Sequence, residues 1–380
     1  TSTKLAIAKV LGDQKKVRHQ EGNYNDRLTV PLVIFGHNTP YLFNVIAWLK
    51  IIFSNYRQIS GKFAYNVVVV ELGTDAPGQL IEFEYIKPDI SVVTAVTPEH
   101  MEFFKTLDAV AEEELSVCNF SSKCLVNGDD VEAVYLESRD VLKYGLNNNP
   151  DYVAKLAGKL SQKGQQLQIG GDEEHVQLLG DQGAKVVLAA YAVGMELGLD
   201  HAKLLRSLEN LRPFAGRMRV MSGNKGSIIL DDTYNASPAA VIAGLDVLYA
   251  FEAPQRIAIL GNMNELGSTS KDLHEEVGRY CDKSKLDMVV TIGPDANKYL
   301  AKAARQAGCK VDSYDSPYEA GDFVSSILKD NAVVLAKGSQ NRVFAEEALK
   351  SLLKNPGDHT KLVRQSEYWM KIKRSQFLER

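Results

Sequence analysis

Residues 66–72 read Asn-Val-Val-Val-Val-Glu-Leu, and no other stretch of the chain limits the fold as strongly. Four consecutive β-branched residues with no polar alternation favour a strand buried on both faces. That pattern belongs to a parallel sheet covered by helices on either side. Residues 90–96 (Ile-Ser-Val-Val-Thr-Ala-Val) repeat it and run into Thr97-Pro98-Glu99-His100. Both segments are therefore expected to be central parallel strands. Their C-terminal ends would deliver Glu71 and His100 to one edge of the sheet, where α/β sheets take ligands. A carboxylate and an imidazole so placed can share a divalent cation. A salt bridge or a loop cap is the ordinary structural alternative.

The remaining punctuation gives an α/β chain of more than one domain. Residues 1–12 form a helix ending at Gly12 that opens with no lead-in strand, as though upstream residues were cut away. Were those residues Gly-Lys, Thr1 would close a phosphate-binding loop. The apolar run 42–53, interrupted by Asn44 and Lys50, is too short to cross a bilayer. It is expected to be a core or interdomain helix, with a membrane-surface helix as the lesser alternative. A helix over 106–117 carries Glu112, Glu113 and Glu114, by default a solvated face. Residues 144–175 read as a polar loop-and-strand excursion. Helices over 185–197 and 201–211 lead to a boundary at Pro213, so the expected domains are 1–213 and 214–380. Beyond it, strands at 256–260, 288–292, 311–314 and 332–336 alternate with helices, as in a Rossmann-like domain with a parallel sheet. The last segment, 362–378, reads as a packing helix.

Between the two units lies residues 216–238, GRMRVMSGNKGSIILDDTYNASP. A guanidinium such as that of Arg217 can hold a phosphate through paired hydrogen bonds and neutralise charge in phosphoryl transfer. Asp231 and Asp232 follow a strand, where a carboxylate can accept from a ribose diol. An exposed arginine and helix-capping Asp, Asn235 and Ser237 before Pro238 are the ordinary explanations. Lys337-Gly338-Ser339 follows the final strand and would bind an anion at the next helix start, or be a plain turn. His274 reads as an ordinary helix residue. With 44 basic against 48 acidic residues and a net charge of −4, a nucleic-acid partner is not expected. Cys118, Cys124, Cys281 and Cys309 show no metal-site spacing and are expected to be buried free thiols of a reducing, cytoplasmic compartment.

Several of these segments together resemble the Mur ligases, ATP-dependent amide-forming enzymes of peptidoglycan synthesis. The matching stretches are GNYNDRLTVPL (22–32), VVVELGTDAPGQ (68–79), TPEHMEFFKTLDAVAEEEL (97–115), LVNGDD (125–130), GRMRV with LDDTYNASP (216–238), AILGNMNELG (258–267), LHEEVG (273–278) and VLAKGSQNRVFAEEAL (334–349). DDTYNASP followed by GNMNELG looks most like the members that add D-Ala-D-Ala to a UDP-MurNAc-tripeptide. The resemblance implies a P-loop-type ATPase domain with a mostly parallel sheet, then a Rossmann-like C-terminal domain. It implies ATP and Mg2+ as cofactors, an acyl-phosphate intermediate, and a monomer with no stable membrane insertion. Carried over by position, Thr1, Glu71, His100 and Glu114 would hold magnesium. Arg217 would reach the γ-phosphate, Asp232 the ribose, and Asn235 would line the nucleotide pocket. Lys337 and Ser339 would help receive D-Ala-D-Ala. Residues 216–238 would be a hinge that brings Arg217 and Asp232 onto the nucleotide together.

Three departures accompany the resemblance. The family's N-terminal domain and the glycines and lysine of its phosphate loop are not in the chain, which is therefore expected to be an incomplete enzyme. Glu114 stands where the family has a carbamylated lysine, and its own carboxylate would replace that group without carbon dioxide. Asp181-Gln182-Gly183 replaces an Arg-His-Asn pattern associated with adenine contacts. The alternatives are a catalytically impaired Mur-like binding or regulatory protein, and a related ligase of the folylpolyglutamate or cyanophycin type.

Overall fold

Two six-stranded sheets carry the chain, and each is drawn from its own stretch of sequence. The computed structural model describes all residues except 21–23, 99 and 378–380, so the start of the GNYND motif lies outside the described residues. Two short strands, β1 (Val17–His19) and β2 (Val67–Val69), pair in parallel with each other. The first large sheet comprises β3 (Ile90–Val93), β4 (Lys123–Asn127), β5 (Leu142–Gly145), β6 (Tyr152–Ser161), β7 (Gly164–Ile169) and β8 (Asp172–Val176), in that order. Its first four strands are parallel; β7 and β8 add an antiparallel edge. Leu125 and Val126 of β4 enter different cores, as the pleat requires. Leu125 packs with Ile7 and Leu11 of helix Ser2–Gly12 and Leu188 of helix Gly180–Glu196. Val126 packs with Val110 and Leu115 of helix Leu107–Ser116.

The second sheet is built from β9 (Arg219–Ser222), β10 (Ile228–Asp232), β11 (Arg256–Gly261), β12 (Met288–Ile292), β13 (Val311–Tyr314) and β14 (Val333–Lys337). Its order is β13-β12-β11-β14-β10-β9, parallel throughout except for β9. Ile257 and Ile259 face one core, Ala258 and Leu260 the other. The α/β class with mostly parallel sheets follows the expectation. The C-terminal helix Glu367–Phe377 packs as expected too. Its Lys373, fully buried, lies 2.8 Å from Glu346 and 2.7 Å from Glu347.

Several expectations are corrected. Residues 66–72 are not a central strand. β2 is three residues long, half-buried, and bonded on one side. Val67–Val70 face residues 90–95 across a cavity of about 960 Å³ that also reaches Ile7 and Leu11. Among the described residues neither facing edge has a ladder partner, so the two-sided burial suited to a valine run is not completed. The run 42–53 is not a core element either. Helix Val45–Ser60 has no buried residue. The loop-and-strand excursion read over 144–175 is mostly strand, and along β7 buried Leu167 and Ile169 alternate with exposed Gln166 and Gln168. Cys118 and Cys124 form a disulfide, since the turn between them brings their Cα atoms to 5.2 Å. Only Cys281 and Cys309 are free buried thiols among the described residues. Asp231 and Asp232, expected to follow a strand, are the last two residues of β10 itself. Ser237 does precede Pro238 at a helix start, but its side chain makes no capping bond.

Candidate active site

The first helix and β2 bring together residues seventy positions apart. Thr1 Oγ1 donates to Glu71 Oε1 at 2.8 Å, and Lys4 Nζ lies 3.0 Å from Glu71 Oε2. Burial pushes the Glu71 carboxyl up, while the Thr1 hydroxyl and the Lys4 ammonium favour its carboxylate. Thr1, Glu71, His100 and Glu114 all line the 960 Å³ cavity. The four positions expected to surround magnesium thus share one space. They do not converge: among the described residues no group of three or more His, Cys, Asp or Glu is arranged to hold a metal. The Thr1–Glu71 oxygen pair has the hard-donor chemistry that suits Mg2+. His100 takes a left-handed backbone (φ 50°) at the start of helix Met101–Phe104. Its ring lies 3.5 Å from Asp75 and 3.9 Å from Glu265, which belongs to the loop after β11. His100 therefore marks where the two sheets' loops meet.

Glu113 corrects the expectation of a solvated face. It is buried, and its carboxylate accepts from Thr74 Oγ1 (3.1 Å) and from the amides of Gly78 (2.6 Å), Gln79 (2.8 Å) and Leu80 (2.7 Å). Four donors on one carboxylate fix the loop that leaves β2 just after Glu71. Three adjacent glutamates on a helix necessarily point to different sides, which was the available signal.

On the second sheet, in-register parallel pairing sets Asp232 beside Lys337. Lys337 Nζ donates to Asp232 Oδ2 at 2.6 Å and to the Asn235 carbonyl at 3.0 Å, with the lysine 3% exposed. Asp232 Oδ1 accepts from the Met218 amide at 3.0 Å. The buried Ser339 hydroxyl donates to the Ala236 carbonyl (3.3 Å) and accepts from the Asn264 amide (2.9 Å). Lys337 and Ser339 are thus turned inward, holding the loops around Asn235 and Asn264. Asp231 is wholly buried. Burial is the main cause that pushes its carboxyl up to about 6, against hydrogen bonds from Thr233 and the Gly216 amide. His274, likewise buried, accepts from the Met263 amide at Nε2, which leaves Nδ1–H to donate to the Ser270 carbonyl. Arg217 stacks over Tyr234 at 4.1 Å, and its buried Nε has no hydrogen-bond partner. Arg217 also lies near Thr1.

A small pocket joins the halves, lined by His100, Asn235, Ser237, Asn264, Glu265 and Ser339. Beside it a cavity of about 860 Å³ runs between β6, β7 and helix Pro238–Ala250. Gln182 and Lys185 line it. Lys185 is paired with Asp130 at 2.7 Å, and Gln182 lies 3.4 Å from the same carboxylate. The family departure at 181–183 therefore sits on a cavity wall. Lys4, Glu113, Glu265 and the Asp130–Lys185 pair were not singled out from the sequence as site residues.

Charged groups from two parallel-sheet units thus gather at strand ends around a cleft, the arrangement of a two-lobed α/β enzyme that closes on its ligand. The chain belongs to the Mur ligases: the Mur ligase middle domain matches residues 53–194, and the Mur ligase glutamate ligase domain matches residues 216–340. The UDP-N-acetylmuramoyl-tripeptide–D-alanyl-D-alanine ligase of Bacillus subtilis is 26% identical over 369 residues, covering 94% of this chain and 74% of that protein. The ligase of the same name from Haemophilus influenzae is 24% identical, over 93% of this chain and 74% of its own. The MurF ligase of Thermotoga maritima, solved in complex with ADP, shares the fold with a TM-score of 0.73 at 24% identity, covering 92% of this chain and 76% of that one.

Proposed function

We propose that the chain carries out ATP-dependent addition of D-Ala-D-Ala to a UDP-MurNAc-tripeptide, a step of peptidoglycan precursor synthesis. In the first half-reaction a carboxylate oxygen of the tripeptide bonds the γ-phosphorus of ATP, the bond to the β-phosphate oxygen breaks, and ADP leaves. The dipeptide amine then bonds the acyl carbon, loses a proton, and phosphate departs as the amide forms. Magnesium, held by Thr1 and Glu71 with His100 and Glu114 nearby, would screen phosphate charge. Arg217 brings a guanidinium with an unsatisfied buried N–H to the same end of the cleft, as a γ-phosphate contact requires. Asp232, its orientation held by Lys337, keeps acceptor capacity for a ribose hydroxyl. Asn235 lines the neighbouring pocket. Lys337 and Ser339 serve the acceptor dipeptide through the loops they fix. In this reading the chain divides near Pro213, works as a monomer, and is cytoplasmic.

The single observation that carries the reading is the shared cavity of Thr1, Glu71, His100 and Glu114, with His100 reaching Glu265 across the cleft. The test is ATP-dependent phosphate release by the full-length gene product, given UDP-MurNAc-tripeptide and D-Ala-D-Ala. Release is expected, and Arg217→Ala is expected to lower it about a hundredfold or more. Absence of release above background rejects the reading. Because the metal-site residues do not converge, a second reading is a nucleotide-binding member of the family without turnover. ATP binding without release under these conditions would select it.

A further inference from the structure

Helix Val45–Ser60 is inside out relative to an ordinary surface helix. The side turned to the protein carries Ala47, Trp48, Ile51, Ser54, Asn55 and Gln58, all half-buried. Its contacts there are largely polar. Asn55 Oδ1 meets His37 Nε2 at 2.7 Å, and Gln58 Nε2 donates to the Phe35 carbonyl at 3.0 Å. The opposite side carries Val45, Ile46, Leu49, Ile52, Phe53, Tyr56 and Ile59, each at least 59% exposed. Tyr41, Leu42 and Phe43 extend this apolar surface ahead of the helix, and Trp48 Nε1 ties that lead-in down through the Leu42 carbonyl at 3.1 Å. A contiguous apolar face on this scale marks an interaction surface.

Charge says what covers it. From Asp26 to Glu71 the sequence has no acidic residue between, although the whole chain carries a net −4. Exposed Lys50 and Arg57, seven residues apart, border one side of the apolar stripe, and exposed Lys62 follows the helix. We propose that this helix lies flat on an anionic bilayer surface, with its apolar side in the acyl boundary and Lys50, Arg57 and Lys62 on the headgroups. The helix is not long and apolar enough to cross the bilayer. Two copies paired antiparallel through this face would set like charges along one rim, which disfavours that arrangement. The binding is independent of the ligase reading and requires no ATP.

The experiment is co-sedimentation of the full-length protein with vesicles of phosphatidylglycerol and, separately, of phosphatidylcholine, together with light scattering of the protein alone. Native protein is expected to bind phosphatidylglycerol vesicles, at least about tenfold more tightly than phosphatidylcholine, with a preference that fades as salt rises. Ile52→Asp/Tyr56→Asp, at exposed positions that leave the packed side intact, should lose binding to both. Lys50→Glu/Arg57→Glu should lose only the preference for the anionic lipid. Native protein that does not sediment with phosphatidylglycerol overturns the proposal. So does unchanged binding by the Ile52/Tyr56 variant. A native dimer that this variant splits, without vesicle binding, overturns it in favour of a second copy. None of these outcomes bears on phosphate release.

Discussion

The two sides of the cleft are built differently. On the second sheet, Asp232 and Lys337 sit on adjacent, in-register strands, are buried, and satisfy one another and the surrounding loops. On the other side, Thr1 and Glu71 meet at the rim of a large cavity, where β2 and β3 face each other unpaired among the described residues. A buried ion pair in a finished sheet is rigid, and breaking it leaves a charge with nowhere to go. A partly exposed pair beside a cavity can exchange partners with a ligand. Among the described residues Asp232 and Lys337 are thus the more enclosed pair, and Thr1 and Glu71 the more exposed one.

The largest test of this contrast is Lys337→Met. It should destabilise the chain by about 3–5 kcal/mol in urea unfolding, because Asp232 is left buried and unpaired. Asp232→Asn/Lys337→Met together should recover much of that loss. Glu71→Gln, on the open side, should cost only about 1 kcal/mol. If the two single variants cost the same, the contrast fails. Next is Glu113→Ala, which removes the acceptor of four hydrogen bonds and should cost about 3 kcal/mol; Glu113→Gln should recover part of it. A loss below that of Glu71→Gln would show that the loop after β2 is held by something else.

A third test is pH dependence. The folded-state pKa of Asp231 is raised to about 6 from an ordinary 3.8. Its stabilising contribution is therefore fully present below about 3.8 and lost as pH rises through about 6. Asp231→Asn should flatten the melting temperature between those limits, and an unchanged pH profile would remove Asp231 as its source. His274 acts in the opposite sense. Burial lowers its pKa below 6.5, so its contribution is present above that value and lost as pH falls. The smallest effect on stability is expected for His100→Ala, under about 1 kcal/mol, since its contacts are long and partly exposed. Phosphate release should nevertheless fall. If release is retained, His100 is a loop residue and nothing more.

Much of this was legible in residue order. The β-branched runs, the Gly and Pro punctuation and the Thr1–Gly12 helix foretold a parallel α/β chain, and strand and helix positions after Pro238 were read closely. The family resemblance also put Thr1, Glu71, His100 and Glu114 on one list, and the fold brings them to one cavity. The errors share a cause. The valine run announces burial on both faces but not whether a neighbour completes it. The apolar run at 42–53 announces hydrophobicity but not which way it faces. Glu113 and Glu114 are alike in sequence, and only the helix phase against the loop after β2 decides which one is buried.

Local pattern, then, is enough to choose strand, helix and turn, because propensity and periodicity act within a few residues. The Asp232–Lys337 pair, the left-handed turn at His100 that meets Glu265, and the outward apolar face of Val45–Ser60 depend on partners tens of residues or more away. Register and packing choose those partners, and only the folded chain brings them within reach.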